Sequence, residues 1–195
     1  KDNMTPINHS FDTGSYTVPS GKNLYITAFQ GTIYNGELKV SSQVVFSGTG
    51  NYIAQGQPLG HFENPIIVAE GEIVSGWSAN NFTGFLTDAS IIPITYSLSG
   101  QYQNNITYTV PSGKILVILN YYGEDGAIST FDSNGNSVGV LTGYYNYFLN
   151  ITGCSPTCKS STISSPLFFD ENSIIETGGY NTINNSVING YLMDK

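Results

Sequence analysis

"SYTVPSGKNLYITAFQ" (residues 15–30) returns at residues 106–120 as "ITYTVPSGKILVILN", and this recurrence decides how the chain is read. Tyr16, Thr17, Val18 and "PSGK" 19–22 match Tyr108, Thr109, Val110 and "PSGK" 111–114, after which Leu24 and Ile26 match Leu116 and Ile118. In the first copy, Pro19, Ser20 and Gly21 make a turn, and Leu24, Ile26 and Ala28 are expected to alternate inward from a strand. Two further anchors follow in the same order. "NPIIVAEGEIVSG" (64–76) matches "SPLFFDENSIIET" (165–177), placing Pro65 over Pro166, Glu70 over Glu171 and Ile73 over Ile174. "TGFLTD" (83–88) matches "NGYLMD" (189–194). Three ordered anchors define a tandem duplication.

Between its outer anchors the second copy is longer: 79 residues separate Pro111 from Gly190, against 65 between Pro19 and Gly84. Insertions of this kind go to surface loops, so the shared framework is the sheet core. Both copies combine β-branched and aromatic residues with turn clusters every 8 to 12 positions or so, the spacing of sandwiches and barrels, and no stretch sustains helical periodicity. The expected fold is all-β: two tandem antiparallel β-sandwiches of jelly-roll type. Residues 1–14 are expected as an N-terminal tail, 15–98 as the first sandwich and 99–195 as the second, with the linker within 91–105 and short enough to hold the pair at a fixed angle.

Composition narrows the function. The chain has 195 residues, a net charge of −8 and only 10% charged residues; its six basic residues are single, scattered lysines, and arginine is absent. Nucleic-acid binding needs a basic patch for phosphates, and a polybasic lipid surface needs the same, so both classes are set aside. No window approaches the roughly 20 apolar residues of a membrane span. An apolar fraction of 39% gives enough burial for a folded chain. The opening Lys1 and the lack of an apolar leader read as a processed secreted protein or an excised domain. Asn-x-Ser/Thr sequons at Asn3, Asn8, Asn81, Asn105, Asn150 and Asn184 point to a glycosylated, exported chain. Cys154 and Cys158, in "GCSPTC", are read as a local disulfide, with free thiols or a metal as rivals.

The "TVPSGK-x-L-x-I" opening and the "NGYLMD" close resemble the jelly-roll modules of viral capsid and spike proteins and of related extracellular sandwiches; cupin-like and tumour-necrosis-factor-like folds open similarly. The Tyr-, Asn- and Thr-rich, arginine-free composition resembles glycosylated surface proteins of thermophilic archaea and their viruses, including turret proteins and thread-like filament subunits. That likeness transfers no site residues.

Catalysis finds little in the sequence. His9 and His61 are isolated, and a cupin-type metal site needs a cluster of ligands on strands. No nucleophile elbow, Walker loop or H-E-x-x-H helix occurs. Glu70 with Glu72, and Asp170 with Glu171, fall in the duplicated turn, where solvated acids are ordinary. "FDSNGNSVG" (131–139) spaces Asp132, Asn134 and Asn136 like half a calcium loop but lacks the later glutamate; it reads as a hairpin with a type I′ turn at Asn134-Gly135. No cofactor is expected. Trp77 and the tyrosines Tyr144, Tyr145 and Tyr147 of "GYYNYF" are the candidate partner surface.

The leading expectation is a non-enzymatic structural subunit of an extracellular assembly, most like a virion capsid or turret-spike protein, that associates with itself or with other subunits of the assembly. The first alternative is a glycosylated cell-surface filament subunit joined by strand exchange, and the second is a sandwich module that binds carbohydrate or a host receptor.

Overall fold

The computed structural model describes residues 4–30, 36–48, 58–76, 80–98, 106–123, 127–142, 160–178 and 186–195. Among the described residues the first half holds eight strands: β1 (Thr5–Ser10), β2 (Tyr16–Thr17), β3 (Lys22–Gln30), β4 (Gly36–Val40), β5 (Gln43–Gly48), β6 (Pro58–Val68), β7 (Ile73–Gly76) and β8 (Asn81–Asp88). They form two antiparallel sheets in the orders β1-β8-β3-β6 and β2-β7-β4-β5, the two interleaved Greek keys of a jelly roll. The second half repeats the plan with β9 (Ile92–Ser97), β10 (Thr107–Thr109), β11 (Lys114–Gly123), β12 (Ala127–Phe131), β13 (Ser137–Thr142), β14 (Ser160–Phe169), β15 (Ile174–Gly178) and β16 (Ser186–Asp194). Its sheets run β14-β11-β16-β9 and β10-β15-β12-β13. Strand for strand the two orders are the same, so the duplicated sequence folds into a duplicated sandwich.

Two of the expected boundaries move. Residues 5–10 are not tail: they form the edge strand β1, paired along its length with β8. Ile7 packs against the first core while Asn8 points to solvent, an alternation hidden by the polar residues around it. Residues 92–97, expected in the first sandwich, pair instead with β16 and carry Ile94 and Tyr96 onto the second core. The first sandwich therefore runs from Thr5 to Asp88 and the second from Ile92 to Asp194.

Each core is filled by the inward residues of its two sheets. Leu24, Ile26, Phe29, Leu38, Val40, Ile66, Val68, Val74 and Phe82 fill the first. Leu116, Ile118, Tyr121, Phe169, Ile175, Ile188 and Leu192 fill the second. Phe29, rather than Ala28, faces the first core, because the register of β3 shifts between Ile26 and Ala28. One extra residue inverts which side chains point inward, as a β-bulge does. The same shift recurs in β11 between Ile118 and Asn120, so Tyr121 points in and Asn120 points out. Opposite each bulge stands a glycine of the closing strand, Gly84 against Ile26 and Gly190 against Ile118. A Cβ at Gly84 would overlap the Tyr25 carbonyl oxygen, and one at Gly190 the Val117 carbonyl oxygen. That close approach is why "TGFLTD" and "NGYLMD" share their glycine.

The hairpin between β12 and β13 is wider than the expected type I′ turn. Asp132 N–H donates to the Asn136 carbonyl (2.9 Å) and Gly135 N–H to the Asp132 carbonyl (3.0 Å), and within that loop only Gly135 has positive φ, at 80°. This is a three-residue loop ending in a glycine bulge. The Asp132 carboxylate fixes it by accepting from Asn134 N–H, Asn136 N–H and the Asn136 amide. Those bonds, led by the Asn136 side chain, hold the Asp132 carboxyl below its ordinary range. A two-residue turn with both central residues at positive φ occurs instead between β4 and β5, at Ser41 and Ser42.

Candidate functional site

The duplicated "PSGK" is a structural clip at one end of each sandwich. In the first, Lys22 N–H donates to the Pro19 carbonyl and Gly21 sits at φ 72°, the glycine position of a type II turn. The "AEGE" turn faces it, bonded through Val18 N–H to the Glu72 carbonyl and Gly71 N–H to the Val18 carbonyl. Glu70 closes the clip by accepting from Gly21 N–H and the Ser20 hydroxyl. In the second sandwich Glu171 accepts from Gly113 N–H (2.8 Å) and the Ser112 hydroxyl (3.0 Å). A second tie is also duplicated: Lys22 pairs with Asp88, and Lys114 with Asp194.

The second clip has one more fastening. Lys195 Nζ donates to Asp170 and Glu171, at the position where the first sandwich has Ala89. Lys195, then the Gly113 amide, holds the Glu171 carboxyl down at about 2, and Lys195 lowers Asp170 as well. Glu70 is thus spent on a main-chain and a serine donor, and Glu171 on the matching pair together with Lys195. Glu72 caps its own turn through Ala69 N–H (2.9 Å).

The histidines are placed apart. His9 lies in β1 with its ring against Phe11, Tyr16 and Phe82 and Nε2 2.8 Å from the Gly14 carbonyl oxygen. His61 is in β6, opposite Ala28. Among the described residues no three His, Cys, Asp or Glu side chains gather as a metal site, and no helix is long and apolar enough to cross a membrane.

Of the six sequons, Asn8 and Asn81 are described. Asn8 is exposed on edge strand β1, Asn81 is half-buried on β8, and the two motifs interleave, Asn8 opposite Thr83 and Ser10 opposite Asn81. Asn3, Asn105, Asn150 and Asn184, the cysteines Cys154 and Cys158, and the aromatic candidates Trp77, Tyr144, Tyr145 and Tyr147 lie outside the described residues.

The most elaborate polar arrangement is one that motif reading missed, and it joins the two sandwiches. β6 is an edge strand of the first sandwich, and it lies against the outer face of the β14-β11-β16-β9 sheet. Asn189, on β16, meets it as another peptide group would. Its Oδ1 accepts from Ile67 N–H (3.0 Å) and its Nδ2 donates to the Ile67 carbonyl (2.8 Å). The same Nδ2 lies within bonding distance of the Ile94 carbonyl and the Thr95 hydroxyl. Asn120 Nδ2 donates to the Pro65 carbonyl (3.0 Å), and Asn64 Nδ2 to the Leu119 carbonyl (3.4 Å). Asn189 and Asn120 are 2% and 5% exposed, and the two bonds between Asn189 and Ile67 are buried, while those of Asn120 and Asn64 are part-buried. Ile67, Val117 and Leu119 bury their side chains around them, with Tyr25, Ile91, Ile115 and Tyr191 at the margin. Tyr122 and Val187 of the second sandwich extend the first core from the same side.

The sequence does carry a trace of this contact. β3 reads "NLYITAF", with a polar or exposed residue between core residues, whereas β11 reads "ILVILNYY" and is buried without interruption from Leu116 to Tyr122. An antiparallel strand that faces water on one side alternates; one covered on both sides does not.

The sequence matches no protein-family model and no curated protein. Among solved structures, the chain is similar to a conserved protein of unknown function from Pseudomonas aeruginosa PAO1, with a TM-score of 0.34 and 10% identity over 97% of this chain and 77% of that one.

Proposed function

We propose that the chain is a non-enzymatic structural subunit of an extracellular assembly, of the capsid or turret-spike kind. The observation that carries this reading is the asparagine junction with its buried Asn189–Ile67 pair, which fixes two jelly rolls to each other by bonds that mimic a sheet ladder. Residues spent in that way serve geometry. A rigid double sandwich presents edges and loops at constant angles, which is what a repeating assembly needs of its subunit. The duplicated carboxylates support the same reading, since each clips one turn to another. The sequons at Asn8 and Asn81 add to it, lying on a sheet of the first sandwich where glycans would cover exposed surface.

Strand exchange along a filament is the less favoured form. A donated β1 would have to leave its own sheet, where it is paired from Thr5 to Ser10.

Electron microscopy of the native material tests the proposal. Spikes or shells built of this chain are the expected result. Isolated monodisperse particles would overturn it, and continuous filaments would replace it with the strand-exchange form.

A further inference from the structure

We propose that the outer face of the β14-β11-β16-β9 sheet, beside the junction with β6, is a two-fold contact surface for a second copy of this chain. The proposal rests on the structural-subunit reading and names its first contact.

One pair of duplicated positions differs in what covers it. Ile67 lies opposite Tyr25 in the first sandwich, and Phe168 lies opposite Val117 in the second; both stand two residues after the matched prolines Pro65 and Pro166. Ile67 is 2% exposed because the sheet of the other sandwich covers it through Val117 and Leu119. Phe168 is 64% exposed. One fold position is thus sealed by a sandwich in the first unit and left open in the second.

The open position is part of a patch. Phe168, Val117, Tyr191 and Pro93 form one row across the sheet, and Ile115 with Met193 forms the next row on the same face. Met193 is 39% exposed, and Val117, Ile115 and Tyr191 already belong to the sealed junction, so the patch continues an existing interface. A large exposed ring beside a sealed apolar contact is how a binding surface reads.

What would cover Phe168 follows from what covers Ile67, which is a sheet face of a sandwich from this chain. The first sandwich is already engaged through β6, so a sandwich for Phe168 has to come from another copy. A sheet face that meets its own copy closes most simply about a two-fold axis, with the same residues on both sides of the contact. Neither of the described sequons, Asn8 and Asn81, lies on this sheet.

Sedimentation velocity of the full chain over a wide concentration series is the test, with Phe168→Asp and Met193→Lys as variants whose folding is checked by circular dichroism and melting. The expected result is a wild-type chain passing from monomer to twice the monomer mass, and both variants remaining monomeric. A wild type that stays monomeric at every concentration overturns the proposal, as does dimerisation that both variants retain or an open-ended ladder of larger species. A chain that is monomeric alone but held by Phe168 on native particles also overturns it, and assigns the patch to another component. Microscopy of the native particle judges the assembly reading separately: particles built from a chain that does not self-associate would refute this contact alone.

Discussion

Replacing Asn189 by alanine tests the junction directly. The substitution removes the acceptor for Ile67 N–H and the donor to the Ile67 carbonyl, and both partners stay behind in a contact from which water is excluded. A buried polar group left without a partner costs about 1–3 kcal/mol, so two such groups set a loss of about 2–6 kcal/mol. The lost bonds to Ile94 and Thr95 raise no comparable cost, since Ile94 keeps its place opposite Gly190 in the β9 ladder and Thr95 is only part-buried. The loss falls on docking. Each sandwich retains its own core, so urea denaturation should change from one transition to two, the earlier one reporting separation and unfolding of the less stable sandwich. Asn189→Asp should be at least as damaging, because it keeps the shape but sets a carboxylate oxygen against the Ile67 carbonyl. Asn8→Ala, on the exposed edge, is the control and should lie within about 0.5 kcal/mol of wild type. If Asn189→Ala unfolds in a single transition within the same margin, the asparagine is not what joins the sandwiches and the reasoning fails.

Three further outcomes are expected. Glu171 is held at about 2 against an ordinary carboxyl near 4.5, so its contribution is complete above that ordinary value and disappears as pH falls through about 2. Acid titration should show wild type losing the clip over that window, while Glu171→Gln has lost the contribution at every pH and differs least from wild type at the acid end. Gly84→Ala and Gly190→Ala should each cost about 1–3 kcal/mol or more, read as a fall in melting temperature, because the new methyl meets a backbone carbonyl that cannot rotate away. Gly135→Ala, at φ 80° in an open loop, should cost about 1 kcal/mol in chemical denaturation through backbone strain alone.

The bulges show why parity along a strand is hard to read. "LYITAF" offers Leu24, Ile26 and Ala28 as one inward set, and nothing local marks Thr27 as an extra residue. The bulge becomes visible only when β8 lies alongside and Gly84 admits the Tyr25 carbonyl. Similarly, "TPINHS" has a single apolar residue, so its place in a sheet depends on β8 offering an unpaired edge. "IIPITYS" reads as a strand by itself, but which sandwich takes it is decided by β16.

By itself the sequence determined that the fold is all-β, that it is built twice, and which turns are shared, because turn chemistry and apolar patterning are local properties that a duplication preserves. Only the tertiary structure decided that Asn189 and Asn120 are the residues that join the two halves, and that Phe168 stands exposed where Ile67 is sealed. An asparagine in a strand reads as surface until a second edge is brought against it, and the edge that meets Asn189 lies 122 residues away in the chain.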